Sequence, residues 1–155
     1  MRYFEDLTEG ATAESGTFLI ERETIIEFAR HYDPQYFHAD PEAAKRSVFG
    51  DVIASGIYTM AVWRQLDHQI AHDIAWICGV AWDDVRFPVA VRPGDVLRAT
   101  SKCLDKRISR SNPRRGVVIY QYVLRNQRHE AVFSCRSTNL VERRPEPQPT
   151  VERAR

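Results

Sequence analysis

The sequence predicts an α+β domain in which a strongly curved antiparallel sheet wraps around one buried helix. The first half of the chain carries apolar residues at helical spacing. The second half carries segments rich in Val, Ile, Tyr, Phe and Thr that turn signals separate. Helices followed by a run of strands are typical of the α+β class. A length of 155 residues with 43% hydrophobic residues suits one such domain.

The first predicted helix carries an apolar stripe over residues 25–29, with Thr24 as its candidate cap. It ends near Tyr32, because Pro34 disfavours helical backbone at the residue before it and lacks an amide donor. A short helical turn is expected over residues 41–46, with proline at its first position.

The longest predicted helix begins at Ser55-Gly56 and carries apolar residues at helical spacing as far as Ile70. Its first two turns are apolar nearly all round, so we expect the sheet to wrap it rather than to receive it on one surface. Strands are predicted over Ile74–Phe87, Val96–Lys106, Val117–Asn126 and Ala131–Val141. Together these elements predict the hotdog architecture over residues 1–142, followed by a mobile C-terminal tail over residues 143–155.

Composition argues against several classes of protein. No apolar run approaches the roughly 18 residues of a membrane-spanning helix, and the acidic first residues lack the apolar core of a signal peptide. Cys78, Cys103 and Cys135 are too widely spaced for a disulfide framework or a cysteine-rich zinc site, so we expect a cytoplasmic protein. A pI near 7.8 is low for nucleic-acid binding.

The segment DPQYFHAD, residues 33–40, is the most informative polar cluster. Two residues five positions apart diverge by about 140° on a regular helix, so Asp33 and His38 converge only where the backbone leaves the helix. Pro34 forces that departure. A carboxylate and an imidazole held together can grip one water and move protons on and off it. The alternative is structural: Asp33 forms a turn with its own backbone, and His38 is a partly buried loop residue.

The turn into the long helix is a second candidate site. The small residues Ala54-Ser55-Gly56 leave free amides at the helix N-terminus, where partial positive charge collects. Such amides can hold a developing oxyanion, including that of a thioester enolate. The structural alternative is an ordinary Ser55 cap, with Gly56 needed for close packing.

In combination these motifs resemble the MaoC-like dehydratase family, which includes the R-specific enoyl-CoA hydratases. The resemblance covers residues 3–144. It rests on Asp33 and His38 with four residues between them, on the small-residue turn at Gly56, and on VRFPVAVRPGD at residues 85–95.

The resemblance implies a hydro-lyase that hydrates 2-enoyl-CoA, or dehydrates 3-hydroxyacyl-CoA, without a cofactor. It implies that Asp33 and His38 activate water and that the Gly56 amide polarises the thioester carbonyl, with Ser55 and Arg86 as further substrate-binding residues. It also implies a homodimer or higher oligomer that binds acyl-CoA, or an acyl-carrier thioester, at the subunit interface.

Two departures from the family pattern bear on the substrate. Gln35-Tyr36 stands where the hydratases usually carry Asn-Pro, and Ser55 stands where many of them carry His. Both changes fall beside the dyad of Asp33 and His38 or in the acyl pocket, so the substrate need not be a simple crotonyl-type thioester. Two other functions stay open: a non-catalytic acyl-CoA-binding or interaction subunit, and an acyl-CoA thioesterase in which water attacks the carbonyl carbon.

Arginine dominates the basic residues, and its fork geometry suits phosphate. We expect some members of one set to hold the phosphates of CoA: Arg86, Arg92, Arg98, Arg107, Arg110, Arg114 and Arg115. His68 and His72 have the spacing of a metal-binding pair on a helix, but nearby sequence supplies no convincing third ligand, so no metal is expected.

Overall fold

Five antiparallel strands form one sheet in the order β1-β3-β4-β5-β2. The strands are β1 (Thr12–Leu19), β2 (Trp76–Arg86), β3 (Val96–Ile108), β4 (Arg115–Arg125) and β5 (Ala131–Glu142). The helices are α1 (Arg22–Tyr32), α2 (Tyr36–Ala39), α3 (Pro41–Ala44) and α4 (Gly56–Ala71). The predicted α+β class and hotdog architecture are confirmed.

The computed structural model describes residues 1–145. Within the predicted tail, Arg143 forms an ion pair with Glu5, and Arg144 forms one with Asp6. The rest of that tail, residues 146–155, lies outside the described residues.

Helix α4 begins and ends close to the residues that the sequence predicts. The hydroxyl of Ser55 accepts a hydrogen bond from the Tyr58 amide over 3.1 Å and so caps the helix. The core of the domain forms where α4 meets the sheet. Trp63, fully buried, packs against Tyr122 of β4 and Phe133 of β5.

The sheet covers α4 on one side. Ile57, on the first turn of α4, is 52% exposed, so one face of that turn lies outside the cover of the sheet.

Three local predictions are corrected. Helix α1 begins at Arg22 after an N-cap at Glu21, so Thr24 lies inside the helix and is not its cap. Strand β1 was not predicted, because most of its residues are exposed and Gly16 interrupts its pattern. His38 lies on the one-turn helix α2 rather than in a loop.

A close contact at Gly116 generates a test of this packing. A Cβ added there would lie 1.9 Å from Cδ2 of Phe4, whose ring is part of the buried core. We therefore expect Gly116→Ala to lower the free energy of unfolding by about 1–3 kcal/mol in urea denaturation. Gly79→Ala is the control, since its added Cβ meets its nearest atom at 3.6 Å, and it should stay within about 0.5 kcal/mol of wild type. Equal unfolding midpoints for the two variants would contradict the packing described.

Candidate active site

Asp33 is the residue at which helix α1 stops. Its amide still donates to the carbonyl of Ala29 over 2.9 Å, but its backbone has left the helix, with φ −156° and ψ 72°. Pro34 explains this departure, since it excludes helical backbone at the preceding residue. The side-chain amide of Gln35 donates to Oδ1 of Asp33 over 3.1 Å. One carboxylate oxygen is thereby held, and the other, Oδ2, is the oxygen recorded nearest to His38.

His38 is buried, with 6% of its surface exposed, and a backbone group fixes its ring. Its Nδ1 lies 2.7 Å from the carbonyl oxygen of Ile53. Because a carbonyl can only accept, Nδ1 carries a proton and donates it to this carbonyl, which leaves Nε2 to face Asp33. Nε2 lies 3.8 Å from Oδ2 of Asp33, which is beyond a direct hydrogen bond. The two atoms can instead engage one small oxygen atom between them.

The loop that supplies the Ile53 carbonyl is anchored on both sides. Arg22 binds both carboxylate oxygens of Asp51 at 2.6 Å, and these hydrogen bonds lower the pKa of Asp51 to about 2. The Ile53 amide donates to the carbonyl of Phe37, the residue before His38, over 3.1 Å. Two contacts with the backbone of Ile53 therefore set the position of the imidazole: one with the ring itself and one with the carbonyl of Phe37.

The start of α4 presents the amides that the sequence predicts. Tyr58 and Thr59 donate to the side chain and the carbonyl of Ser55. The Gly56 amide has no acceptor among the described residues, as expected for the first turn of a helix. A Cβ on Gly56 would lie 2.9 Å from the ring of Phe87, so only glycine lets this ring lie against the helix start.

A cavity of about 380 Å³ lies beside these groups. His38 and Gly56 line it, and Phe49, Phe87 and Val132 are among its apolar walls. Asp33 does not line the cavity itself, but its carboxylate lies 3.8 Å from the ring of His38, which does. The arrangement places a basic ring nitrogen and a helix-terminal amide on one apolar pocket.

The structure brings together some of the predicted site residues and not others. Asp33, His38 and Gly56 come together at one end of α4. Ser55 is 1% exposed, and its hydroxyl accepts the capping bond, so its side chain serves the helix. Arg86 ends β2, next to Phe87, and does not line the cavity.

The arginines of the predicted phosphate-binding set divide between the two ends of the domain. Arg92 donates to the carbonyl of Phe49 at the cavity wall over 3.0 Å. The tip of the β3–β4 hairpin lies at the other end. Gly116, near that tip, lies against Phe4. Arg2, two residues before Phe4, pairs with Asp73 just beyond the end of α4. Helix α4 separates the two ends by about 24 Å. The arginines at the far end are Arg107, Arg110, Arg114 and Arg115.

Sequence reasoning missed the residues that close the cavity. Thr59, Phe87 and Val132 come from three separate parts of the chain, and only the fold brings them together. Phe87 precedes a proline inside the segment that carries the family resemblance. That position was the one sequence feature that could have identified it as a cavity residue.

Within residues 1–145, no three His, Cys, Asp or Glu side chains converge as a metal site. His68 and His72 lie with ring centroids 6.1 Å apart on the exposed end of α4 and just beyond it. No helix in the same range is long and apolar enough to cross a membrane.

Comparison with known proteins places this geometry in context. The model of the MaoC like domain family matches residues 7–123. The protein YdeM of Bacillus subtilis (strain 168), itself uncharacterized, is 30% identical over 142 residues, covering 90% of this chain and 98% of its own. The 3-hydroxyacyl-thioester dehydratase Z of Mycobacterium tuberculosis is 34% identical over 110 residues, covering 65% of this chain and 73% of its own.

Solved structures agree with the fold. A MaoC-like dehydratase from Rhodospirillum rubrum superposes with a TM-score of 0.87 and 35% identity, covering 94% of this chain and all of that one. A double-hotdog protein of Mycobacterium tuberculosis superposes with a TM-score of 0.78 and 12% identity, covering 96% of this chain and 46% of that one. At such low identity the second likeness concerns the hotdog fold alone.

Proposed function

The chain belongs to the MaoC-like domain family, and from that premise we propose that it catalyses the reversible hydration of 2-enoyl thioesters to 3-hydroxyacyl thioesters. One observation carries the proposal. The Asp33 carboxylate and the His38 imidazole approach to 3.8 Å beside an apolar cavity, and a free helix-terminal amide opens on the same cavity. The family supports dehydratase chemistry, and this geometry supports the assignment of roles.

The proposed reaction uses one water between Oδ2 of Asp33 and Nε2 of His38. The carboxylate takes a proton from the water as the water oxygen bonds to C3 of the enoyl thioester. The imidazole orients the water through its lone pair and shares the proton transfer. The carboxylate then delivers that proton to C2 on the same face, so the elements of one water are added and both groups return to their starting state.

Negative charge develops on the thioester oxygen between these two steps. The Gly56 amide and the positive end of α4 are positioned to stabilise it. Phe87, packed against Gly56, forms part of the apolar wall, and an apolar surrounding strengthens that interaction. The dyad and the amide therefore act at opposite ends of the same conjugated system.

The cysteines fit no role in this chemistry. Burial raises the pKa of Cys135 to about 12 and also raises the pKa of Cys103, so both thiols stay protonated. All three cysteines are free, which supports the proposal of a reducing, cytoplasmic setting.

The positions of the arginines indicate which of them can contact the CoA phosphates. Arg86 and Arg92 flank the Phe87–Val91 segment at the cavity, so we assign the CoA phosphates to this end of the domain. Arg98 is already paired with Glu14. Exposed contacts of this kind weaken with salt, so the affinity for acyl-CoA should fall as ionic strength rises, and an affinity unchanged by salt would contradict the assignment.

The dyad generates the first test of function. Asp33→Asn keeps the shape and removes the base, and His38→Ala removes the orienting ring. Each variant should lower kcat for the hydration of an enoyl-CoA about 100-fold or more relative to wild type. The rate is measured as loss of the enoyl absorbance. Because both groups act on one water, the double variant should lose little more than either single variant.

Asp40→Asn is the matched control for these two variants. Asp40 lies in the same segment, but its carboxylate caps α3 by accepting from the amides of Glu42 and Ala43, and asparagine caps equally well. It should hydrate at the wild-type rate. Folded Asp33 and His38 variants that also hydrate at that rate would exclude the dyad as the catalytic groups. A wild type that binds acyl-CoA but hydrates no enoyl-CoA would favour a binding subunit, whereas release of free thiol would favour the thioesterase.

We propose further that the chain forms a homodimer through the free edge of β2. This strand pairs with β5 on one side, and no strand pairs with its other side within residues 1–145. Apolar residues along the strand and just after it are at least one-third exposed: Ile77, Val80, Trp82, Val85, Phe87 and Val89. An unpaired apolar edge of this kind associates unless it is covered. Pairing of two β2 strands would be isologous.

Val80→Lys tests the dimer. Val80 is 59% exposed at the free edge, and a lysine there should leave a monomer in light scattering at micromolar concentration, where wild type should be a dimer. Leu104→Lys is the control, since it makes the same change at a residue 40% exposed on β3, which is paired on both sides. A monomeric wild type, or a dimeric Val80→Lys variant, would contradict this interface.

A further inference from the structure

The ion pair between Arg22 and Asp51 connects helix α1 to the loop that precedes α4. Arg22 is the first residue of α1, and Asp51 lies between α3 and α4. Nη1 of Arg22 lies 2.6 Å from Oδ1 of Asp51, and Nη2 lies 2.6 Å from Oδ2. Two parallel hydrogen bonds of this kind fix the orientation of a carboxylate as well as its distance from the guanidinium.

The same carboxylate also holds the backbone of its own loop. Oδ1 of Asp51 accepts a hydrogen bond from the amide of Val52 over 2.7 Å. The side chain of Val52 is fully buried, so the loop turns inward directly after Asp51. Arg22 is therefore joined, through one carboxylate, to a backbone amide one residue before Ile53.

Ile53 holds helix α2 with both of its backbone groups. Its amide donates to the carbonyl of Phe37 over 3.1 Å, and its carbonyl accepts from Nδ1 of His38 over 2.7 Å. Helix α2 has only four residues, and its N-cap makes no side-chain hydrogen bond within the described part of the chain. A helix this short is not stable by itself, so the position of His38 depends on where Ile53 is held.

Arg22 lies away from the reacting groups. Helix α1 has 11 residues, so Arg22 at its start is about 16 Å along the axis from Asp33 at its end. Neither Arg22 nor Asp51 lines the cavity beside His38. An influence of Arg22 on the reaction must therefore pass through Asp51 and the backbone of Ile53.

We propose that Arg22 is a positioning residue for His38. By holding Asp51 it keeps the Ile53 carbonyl where that carbonyl accepts from Nδ1, and so directs Nε2 toward the water that the ring shares with Asp33. The proposal rests on the proposed function for that water and its reaction. Without Arg22 the carbonyl of Ile53 loses its fixed orientation, and the ring can turn or carry its proton on the other nitrogen.

Substitution of the ion pair tests the effect on the reaction. Arg22→Gln should lower kcat for the hydration of an enoyl-CoA about tenfold to a hundredfold, because a misplacement of about 1 Å costs that much. KM should change by less than a factor of about three, since neither partner lines the cavity. Arg22→Lys, which keeps the charge but not the paired hydrogen bonds, should recover part of kcat. Asp51→Asn should also lower kcat, and the double variant should lose little more than either single variant.

Arg2→Gln is the matched control, because it removes a similar ion pair at the far end of the domain. Arg2 binds both oxygens of Asp73, at 2.6 and 2.8 Å, and the two side chains are 43% and 40% exposed. Those of Arg22 and Asp51 are 42% and 34% exposed. Both substitutions should shift the urea midpoint by a similar small amount, and Arg2→Gln should keep the wild-type kcat. Equal losses of kcat in both variants, or a wild-type kcat in Arg22→Gln, would overturn the proposal.

The His38 ring provides a second test, which requires no turnover. Nitrogen NMR of the isotopically labelled imidazole, recorded at a pH at which the ring is neutral, identifies the nitrogen that carries the proton. Wild type and Arg2→Gln should show a proton on Nδ1, since the Ile53 carbonyl accepts it. Arg22→Gln should show a mixture of the two tautomers. A wild-type spectrum in Arg22→Gln would overturn the proposal.

The two measurements separate this proposal from the proposed function. A wild type that hydrates no enoyl-CoA would overturn the lyase activity, whereas a change of tautomer confined to Arg22→Gln would still support the positioning of His38. A wild type that hydrates enoyl-CoA, with Arg22→Gln equal to it in rate and in spectrum, would overturn the positioning role and support the lyase activity.

Discussion

The packing of α4 against the sheet is the constraint on which the rest of the structure depends. Trp63, fully buried, contacts aromatic rings from β2, β4 and β5 and so fixes the helix in depth and in rotation. With that rotation set, Gly56 faces the cavity beside His38. The proposed contact of the Gly56 amide with the thioester is therefore a consequence of how the helix packs.

The approach of Asp33 to His38 depends on a different feature, namely where helix α1 ends and helix α2 begins. Pro34 ends α1 at Asp33, and the one-turn helix α2 then carries His38 back toward the carboxylate. The carbonyl of Ile53 fixes the imidazole, and the Arg22–Asp51 ion pair anchors the loop from which that carbonyl comes. Such an arrangement presents a lone pair to the site before any substrate is present, which is the preorganisation that acid–base catalysis requires.

The sequence predicts those parts of the fold in which local chemistry and packing agree. The Ser55 cap, the Gly56 start and the apolar spacing that follows them define α4, and strong β-propensity defines the four later strands. Strand β1 escapes prediction because its residues are mostly exposed and carry little periodicity. Thr24 resembles a cap, but tertiary contacts allow α1 to begin two residues earlier.

The sequence predicts the approach of Asp33 to His38, which the structure shows, but it does not predict contacts between distant segments. The spacing of Asp33 and His38 around Pro34 contains the reason that they converge. Nothing local indicates that Phe87 lies against Gly56. That contact arises only when the fold brings the segment after β2 to the start of α4.

The stereochemistry of hydration in D2O tests the central claim most directly. If Asp33 and His38 handle one water on one face of the substrate, the deuteron at C2 and the hydroxyl at C3 of the product must have been added to the same face. NMR coupling between the C2 and C3 positions of the isolated product measures this relation. A single product of same-face addition is the predicted result. Addition to opposite faces, or a mixture of the two, would contradict a water shared by the dyad.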